Sequence, residues 1–185
     1  MSTLNRRTLI TGAVSVPLVA ACGNGLGSNA AERIDTRVDS ATQFLYDNIP
    51  GTRTLMQNAE GVLIMPLITE AGFGIGGGYG RGALRINGAT VDYYSATSAT
   101  FGFQIGAQQY AHALFFMTPE ALRDFRFSSG WAVGGDVRYA VSTQGGNLGT
   151  DTNVLLSPVV AIVFGQAGLI AGATLEGTRY TRILP

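Results

Sequence analysis

The feature that most restricts how this chain can fold is a run of glycines at alternate positions. Within 71–82 (AGFGIGGGYGRG) every even-numbered residue is glycine. Successive side chains of a β-strand point to opposite faces, so this run leaves one face of a strand without side chains. Such a face lets another backbone or a ring approach closely, or it marks a sharp bend. The run therefore predicts a strand within tightly packed β-structure.

The same run contains the G-x-G-x-x-G spacing of dinucleotide-binding sites, at Gly72–Gly77. Such a site needs a helix directly after the glycines and an acidic residue about twenty positions further on. Here more glycine and strand follow instead. The chain also has no lysine, which a Walker phosphate-binding loop requires. We therefore predict that the protein has no cofactor.

The predicted elements begin with helices and continue mostly with strands. Asn87-Gly88 predicts a type I′ hairpin turn, Pro66 an edge strand or strand end, and Thr118-Pro119 a helix start. The order predicts an α+β domain with a strongly curved antiparallel β-sheet or barrel-like core, N-terminal helices and one inserted helix. In chain order we predict helices over 32–48 and 52–59, strands over 62–65, 83–86, 89–94, 99–108 and 110–117, a helix from 118, one or two strands over 131–141, and long strands over 154–166 and 169–183.

The N-terminus predicts an export signal that ends at a lipid-modified cysteine. Arg6-Arg7 precede an apolar run from Leu9 to about Val19, which is shorter than the ~20 residues that span a bilayer. Residues 18–22 (LVAAC) resemble the lipobox of bacterial lipoproteins, in which the cysteine receives acyl chains such as palmitate. We therefore predict a lipoprotein signal peptide over 1–21 and acylation of Cys22. The alternative is a lone thiol after an ordinary signal peptide.

Localisation follows from the residues around this cysteine. The paired arginines are similar to a twin-arginine signal, with an ordinary Sec signal as the alternative. Residues 22–31 predict a lipidated, flexible tether, and 32–185 the domain. Because Gly23 replaces the aspartate that commonly retains lipoproteins in the inner membrane, we predict a bacterial cell-envelope protein anchored in the outer membrane.

Charge and composition exclude several classes of partner. Arg6 and Arg7 are two of the twelve basic residues, so ten arginines face twelve carboxylates once the signal is removed. This balance leaves no excess of positive charge that could bind the phosphates of nucleic acid. We therefore predict no nucleic-acid partner. Once Cys22 is acylated, no thiol remains for a disulfide or a metal site.

The few residues able to do acid–base or metal chemistry do not form a recognisable site. His112 is the single histidine, between Tyr110 and Leu114 on one face of an apolar strand, which favours a structural or surface role. Asp136, Asp151 and Glu176 are scattered without metal-ligand spacing, and no G-x-S-x-G motif occurs. We predict that the protein is not an enzyme, with no catalytic residues and no metal.

Several segments together resemble the SYLF domain family, from roughly Thr52 to the C-terminus. The resemblance implies lipid binding, since eukaryotic members bind phosphoinositide membranes and some bundle or bind actin, while bacterial members are secreted or lipid-anchored. The chain departs from the family pattern at Glu70, where many members carry a basic residue. It also lacks lysine, so phosphoinositide and actin binding are not carried over. The matching segments are 59–66 (AEGVLIMP), 70–84 (EAGFGIGGGYGRGAL), 101–108 (FGFQIGAQ), 113–118 (ALFFMT) and 168–177 (GLIAGATLEG).

These observations predict a non-enzymatic envelope lipoprotein whose SYLF-like domain binds lipid or membrane, with phospholipid as a possible ligand. The alternative is a structural or protein-interaction module that its acyl anchor alone holds at the membrane. Arg33, Arg37 and Arg53 lie nearest the tether and are the candidate contacts for phosphate headgroups, or else solvated surface charges. Eight aromatic residues either line a lipid cavity or fill the core: Phe101, Phe103, Phe115, Phe116, Phe125, Phe127, Trp131 and Phe164.

Overall fold

The computed structural model of this protein describes residues 29–133, 137–141, 157–168, 175 and 177–185. The predicted signal peptide and Cys22 lie outside the described residues, as do Asp136, Asp151 and Glu176. The predicted α+β class is confirmed. The elements are α1 (Ala30–Asn48), α2 (Thr52–Asn58), β1 (Gly61–Ile86), β2 (Ala89–Phe116), α3 (Pro119–Phe127), β3 (Trp131–Ala132), β4 (Val137–Val141), β5 (Val159–Gly168) and β6 (Arg179–Ile183).

The helices begin and end close to where local signals predict. Helix α1 starts at Ala30, so the last two residues assigned to the tether are helical. At α3, Thr118 Oγ1 accepts a hydrogen bond from the backbone N–H of Ala121 at 3.2 Å, and proline occupies the first turn. The predicted N-cap and helix start are therefore confirmed. None of the helices in the described part of the chain is long and apolar enough to cross a membrane.

Strands β1 and β2 form one long antiparallel ribbon, where the sequence predicted several short strands. Asn87 and Gly88 have φ values of 52° and 79°, as a type I′ turn requires, which confirms the predicted hairpin. Pro66 does not end β1. It lies in a register shift between Met65 and Ile68, a bulge that tolerates a residue without an N–H donor.

The glycine run explains how this ribbon curls back on itself. A Cβ atom added at Gly82 would collide with the carbonyl oxygen of Ile64, and one at Gly80 with the carbonyl oxygen of Leu67. One at Gly78 would lie 2.7 Å from Glu70 Cγ. The second half of β1 therefore crosses the first half at backbone contact distance, which is possible only where the strand has no side chains. The prediction of close approach is confirmed.

Strand β2 is the central strand of the sheet, because β6 pairs with its first half and β5 with its second half. Among the described strands the order is β3-β6-β2-β5-β4, with β1 paired to β2. All pairs are antiparallel except β4 with β5, which are parallel. The described parts of the two predicted closing strands are β5 and β6, and each pairs with β2: β5 with 108–116 and β6 with 93–97. The sheet is thus a curved antiparallel sheet with one parallel edge pair.

Both faces of the curved sheet are buried, because side chains alternate between two cores. The inner core lies inside the curl and includes Phe125 of α3. The outer core lies between the sheet and helices α1 and α2. Inner-core residues include Leu63, Met65, Leu84, Tyr94, Tyr110, Leu114, Phe116, Ala161 and Tyr180. Outer-core residues include Ile34, Val38, Ala41, Leu45, Leu55, Val62, Ile64, Ala113, Phe115, Ile162 and Phe164.

Candidate functional site

A basic cavity opens between the start of α1 and the ribbon. It has a volume of about 290 Å³, and Arg33, Arg37 and Arg81 line it together with Tyr79 and Thr69. Arg33 and Arg37 are exposed and Arg81 is half-buried. None of the three arginines forms an ion pair with a residue that the structure describes, and no carboxylate is among the described lining residues. The cavity therefore offers uncompensated positive charge to an anion.

Polar contacts on the opposite side of α1 fix where these arginines lie. Asp35 accepts hydrogen bonds from Thr90 Oγ1 at 2.8 Å and from Tyr93 Oη at 2.7 Å. Burial, followed by the hydrogen bond to Asp35, raises the pKa of Tyr93 to about 12. Residues two positions apart are about 200° apart around a helix. Holding Asp35 on Thr90 and Tyr93 of β2 therefore turns Arg33 and Arg37 to the opposite side of α1, where the basic cavity opens against β1.

An apolar groove continues from the basic cavity along α1. Its volume is about 460 Å³, and its apolar lining includes Ala41, Phe44, Leu67 and Phe164. Phe44 is 43% exposed and Leu67 is 37% exposed, and the Phe44 and Phe164 rings stack with centroids 5.7 Å apart. Leu67 is available to the groove because it lies in the bulge of β1. Arg37, Pro66 and Leu67 line both the cavity and the groove.

The structure separates the three arginines that the sequence singled out. Arg33 and Arg37 line the basic cavity together. Arg53 lies on α2, where its guanidinium is 4.2 Å from the centre of the Tyr46 ring and 4.0 Å from Asp47 Oδ1. Arg53 is not among the residues that line the cavity, so the structure does not bring it to the same site. Cys22, the fourth predicted site residue, lies outside the described residues.

Sequence reasoning missed Arg81 and the apolar side chains beside it. Arg81 is the single charged residue within the glycine run, and it occupies the face opposite to the even-numbered glycines. That placement was a usable signal, because the bare face must turn inward and Arg81 therefore outward. No local pattern shows that Phe44 and Leu67 would be neighbours. The eight aromatic residues have different positions. Phe115, Phe116, Phe125 and Phe164 are buried core, and Phe164 also lines the apolar groove. Trp131 packs against the core, Phe127 is 85% exposed, and the side chains of Phe101 and Phe103 lie outside the described part of the structure.

Two buried polar groups have structural partners rather than access to a ligand. Glu70 accepts hydrogen bonds from Gln108 Nε2 at 2.6 Å, Tyr110 Oη at 2.8 Å and Ser98 Oγ at 3.1 Å. His112 is fully buried with Nε2 2.7 Å from Tyr180 Oη. Burial lowers the pKa of His112 to about 3, so the imidazole is neutral. Of the two roles considered for His112, the structure shows the structural one.

The described residues contain no group of three or more histidine, cysteine, aspartate or glutamate side chains able to hold a metal ion. What the cavity and groove can do is bind: three guanidinium groups suit an anion, and the adjoining apolar surface suits a hydrocarbon chain.

A comparison with family models identifies part of this chain. Residues 97–182 match the Ysc84 model, described as a Las17-binding protein and actin regulator. The match runs from within β2 to within β6, so it includes most of β2, helix α3 and the strands that follow, but not α1 or β1. That description is of a binding module. No curated protein matches the chain.

Proposed function

We propose that this chain, of which residues 97–182 match the model of the SYLF (Ysc84) family, is a non-enzymatic, lipid-anchored protein of the bacterial cell envelope whose domain binds lipid. The observation that carries the proposal is the junction of the basic cavity and the apolar groove beside α1. Membrane-binding surfaces combine cationic side chains, which meet headgroup phosphates, with exposed apolar side chains, which enter the acyl boundary. Arg33, Arg37 and Arg81 supply the first, and Phe44 and Leu67 the second.

The position of this surface along the chain supports the proposal. Helix α1 begins at Ala30, eight residues after Cys22. As the tether that the sequence predicts, a stretch of that length would span roughly 15 Å. An acyl anchor at Cys22 therefore keeps the basic cavity near the headgroups and raises the local concentration of lipid around it. We place the anchor in the outer membrane because Gly23 follows the cysteine.

Flotation with vesicles tests whether the domain binds lipid without its anchor. The protein is residues 22–185 carrying Cys22→Ser, and the vesicles contain phosphatidylglycerol and phosphatidylethanolamine. We expect the protein to float, and Arg33→Gln/Arg37→Gln to lower its partition coefficient about 30-fold, because each arginine near an anionic surface contributes about 1 kcal/mol. The matched control is Arg53→Gln, on α2 beside Asp47, which should float like the parent.

Absence of flotation with every vesicle composition would contradict lipid binding and favour the protein-interaction alternative. The structure contains an exposed surface that suits a protein partner. Phe127 is 85% exposed and lies with Arg126 and Arg182 at the edge of a separate cavity of about 440 Å³. Under this alternative, chemical crosslinking in the envelope yields a protein partner that Phe127→Ser removes.

Mass spectrometry of the intact native protein tests the anchor separately. We expect a chain that begins at Cys22 and carries the additional mass of its acyl groups. Cys22→Ser should abolish the acyl mass and release the protein from the membrane fraction, because no other thiol exists in the chain. A native protein without acyl mass would contradict the anchor while leaving the flotation result unaffected.

A further inference from the structure

We propose that the basic cavity and the apolar groove form one site that holds a single molecule of an anionic lipid with one acyl chain, a lysophospholipid or a fatty acid. The inference rests on the proposed lipid binding and specifies its ligand. The headgroup would lie among Arg33, Arg37 and Arg81, with the chain along Phe44 and Leu67.

Continuity along α1 supports a single site. The basic cavity meets the helix at positions 30, 33, 34 and 37, and the apolar groove meets it at 36, 37, 40, 41 and 44. Apart from Thr36, the second set is the first shifted by seven residues, which is about two helical turns. Both therefore lie on one face of α1, and Arg37, Pro66 and Leu67 join them.

The distribution of charged residues between the two spaces indicates how the ligand is oriented. All three arginines line the basic cavity, and of the three only Arg37 also lines the apolar groove. No carboxylate is among the described residues that line either space. Guanidinium groups pair with phosphate or carboxylate through two parallel hydrogen bonds, whereas Phe44 and Phe164 offer stacked rings at the other end. This polarity matches an amphiphile with one anionic end.

The dimensions of the apolar groove favour a ligand with a single acyl chain. The apolar groove follows α1 from Thr36 to Phe44, about 12 Å of helix, whereas one acyl chain in half of a bilayer extends about 15 Å. The groove thus covers roughly four fifths of one extended chain. Its volume of about 460 Å³ lies within the range of about 300–1,000 Å³ that is usual for small-molecule sites. A second chain of the same molecule would remain in water.

Calorimetric titration with three related compounds tests the inference. The protein is residues 22–185 with Cys22→Ser, and each compound is kept below its micellar concentration. The probes are 1-lauroyl lysophosphatidic acid, 1-lauroyl lysophosphatidylcholine, which has no net charge, and glycerol 3-phosphate, which has no chain. We expect one molecule of lysophosphatidic acid per protein, and at least tenfold weaker binding of the other two.

Matched variants locate the site. Arg81→Gln and Phe44→Ser should each raise the Kd for lysophosphatidic acid about tenfold. Arg53→Gln and Phe127→Ser, an exposed arginine and an exposed phenylalanine elsewhere, should leave it unchanged. Circular dichroism of each variant shows that it is folded.

Three outcomes would overturn the inference. Vesicle flotation without one-to-one binding would mean that the protein recognises a membrane surface, and lipid binding would stand. Equal affinity for glycerol 3-phosphate would mean that the site is a phosphate site without a chain subsite. Loss of both flotation and titration signals would remove the proposed function together with the inference.

Discussion

Replacing Gly82 with alanine is expected to lower the free energy of unfolding by about 3 kcal/mol. Gly82 is buried, and a Cβ atom there would overlap the carbonyl oxygen of Ile64 and the sulfur of Met65. Ile64 is already paired with Ala113 of β2, so its carbonyl cannot retreat without disturbing the ribbon. The overlap must therefore separate the two crossing halves of β1. Urea denaturation followed by circular dichroism measures the loss.

Gly77→Ala is the matched control, because it places the same methyl group in the same strand. There the nearest described atom is the carbonyl oxygen of Ser98 at 3.4 Å, an ordinary contact, and Gly77 is exposed. We expect a change within about 0.5 kcal/mol. If both variants lowered the free energy of unfolding by the same amount, the loss would follow from replacing any glycine in this strand. The crossing of the two halves of β1 would then not explain it.

Stability should fall as pH decreases from 7 to 5, because His112 is fully buried in its neutral form. The unfolded chain binds a proton at this residue below about pH 6.5, whereas burial lowers the pKa in the folded protein to about 3. Between these values the unfolded state binds more protons, so the free energy of unfolding decreases as pH falls, by about 1.4 kcal/mol per pH unit. The loss from pH 7 to pH 5 amounts to about 2 kcal/mol.

Urea titrations at pH 7, 6 and 5 measure this slope, and His112→Gln should flatten it. His112 is the single histidine in the chain, so no other imidazole contributes in this range. As a second measurement, the imidazole NMR signals of the folded protein should not titrate above pH 4. A slope that is equally steep in His112→Gln, or an imidazole that titrates near pH 6.5, would contradict the burial argument.

Sequence patterns predicted those parts of the fold that depend on a few neighbouring residues. The Asn87-Gly88 turn needs two positive φ values, and the start of α3 needs one hydroxyl and one proline. The face of α1 that carries Ile34 and Val38 needs only helical spacing. Each has its physical cause within one turn or one hairpin, and each is confirmed.

Longer-range features were predicted less well. Pro66 suggested an edge strand or the end of a strand. Strand β1 does not end there, because the bulge between Met65 and Ile68 accommodates the proline, but among the described strands β1 pairs with β2 alone and is thus an edge strand. The parallel pairing of β4 with β5 has no local signal at all. Among the candidate site residues, Arg53 was grouped with Arg33 and Arg37 because all three are near the tether in sequence. In the structure Arg53 turns instead to Tyr46 and Asp47.

The sequence alone determined that 71–82 has one face without side chains, and hence that something must approach it closely. It also placed cations on the first helix and predicted an anchoring cysteine ahead of it. Only the tertiary structure decided what approaches: the first half of the same strand. That crossing brings Arg81 beside Arg33 and Arg37, and Leu67 beside Phe44. Such neighbours depend on contacts between distant segments, which the packing of the whole sheet selects and no local pattern encodes.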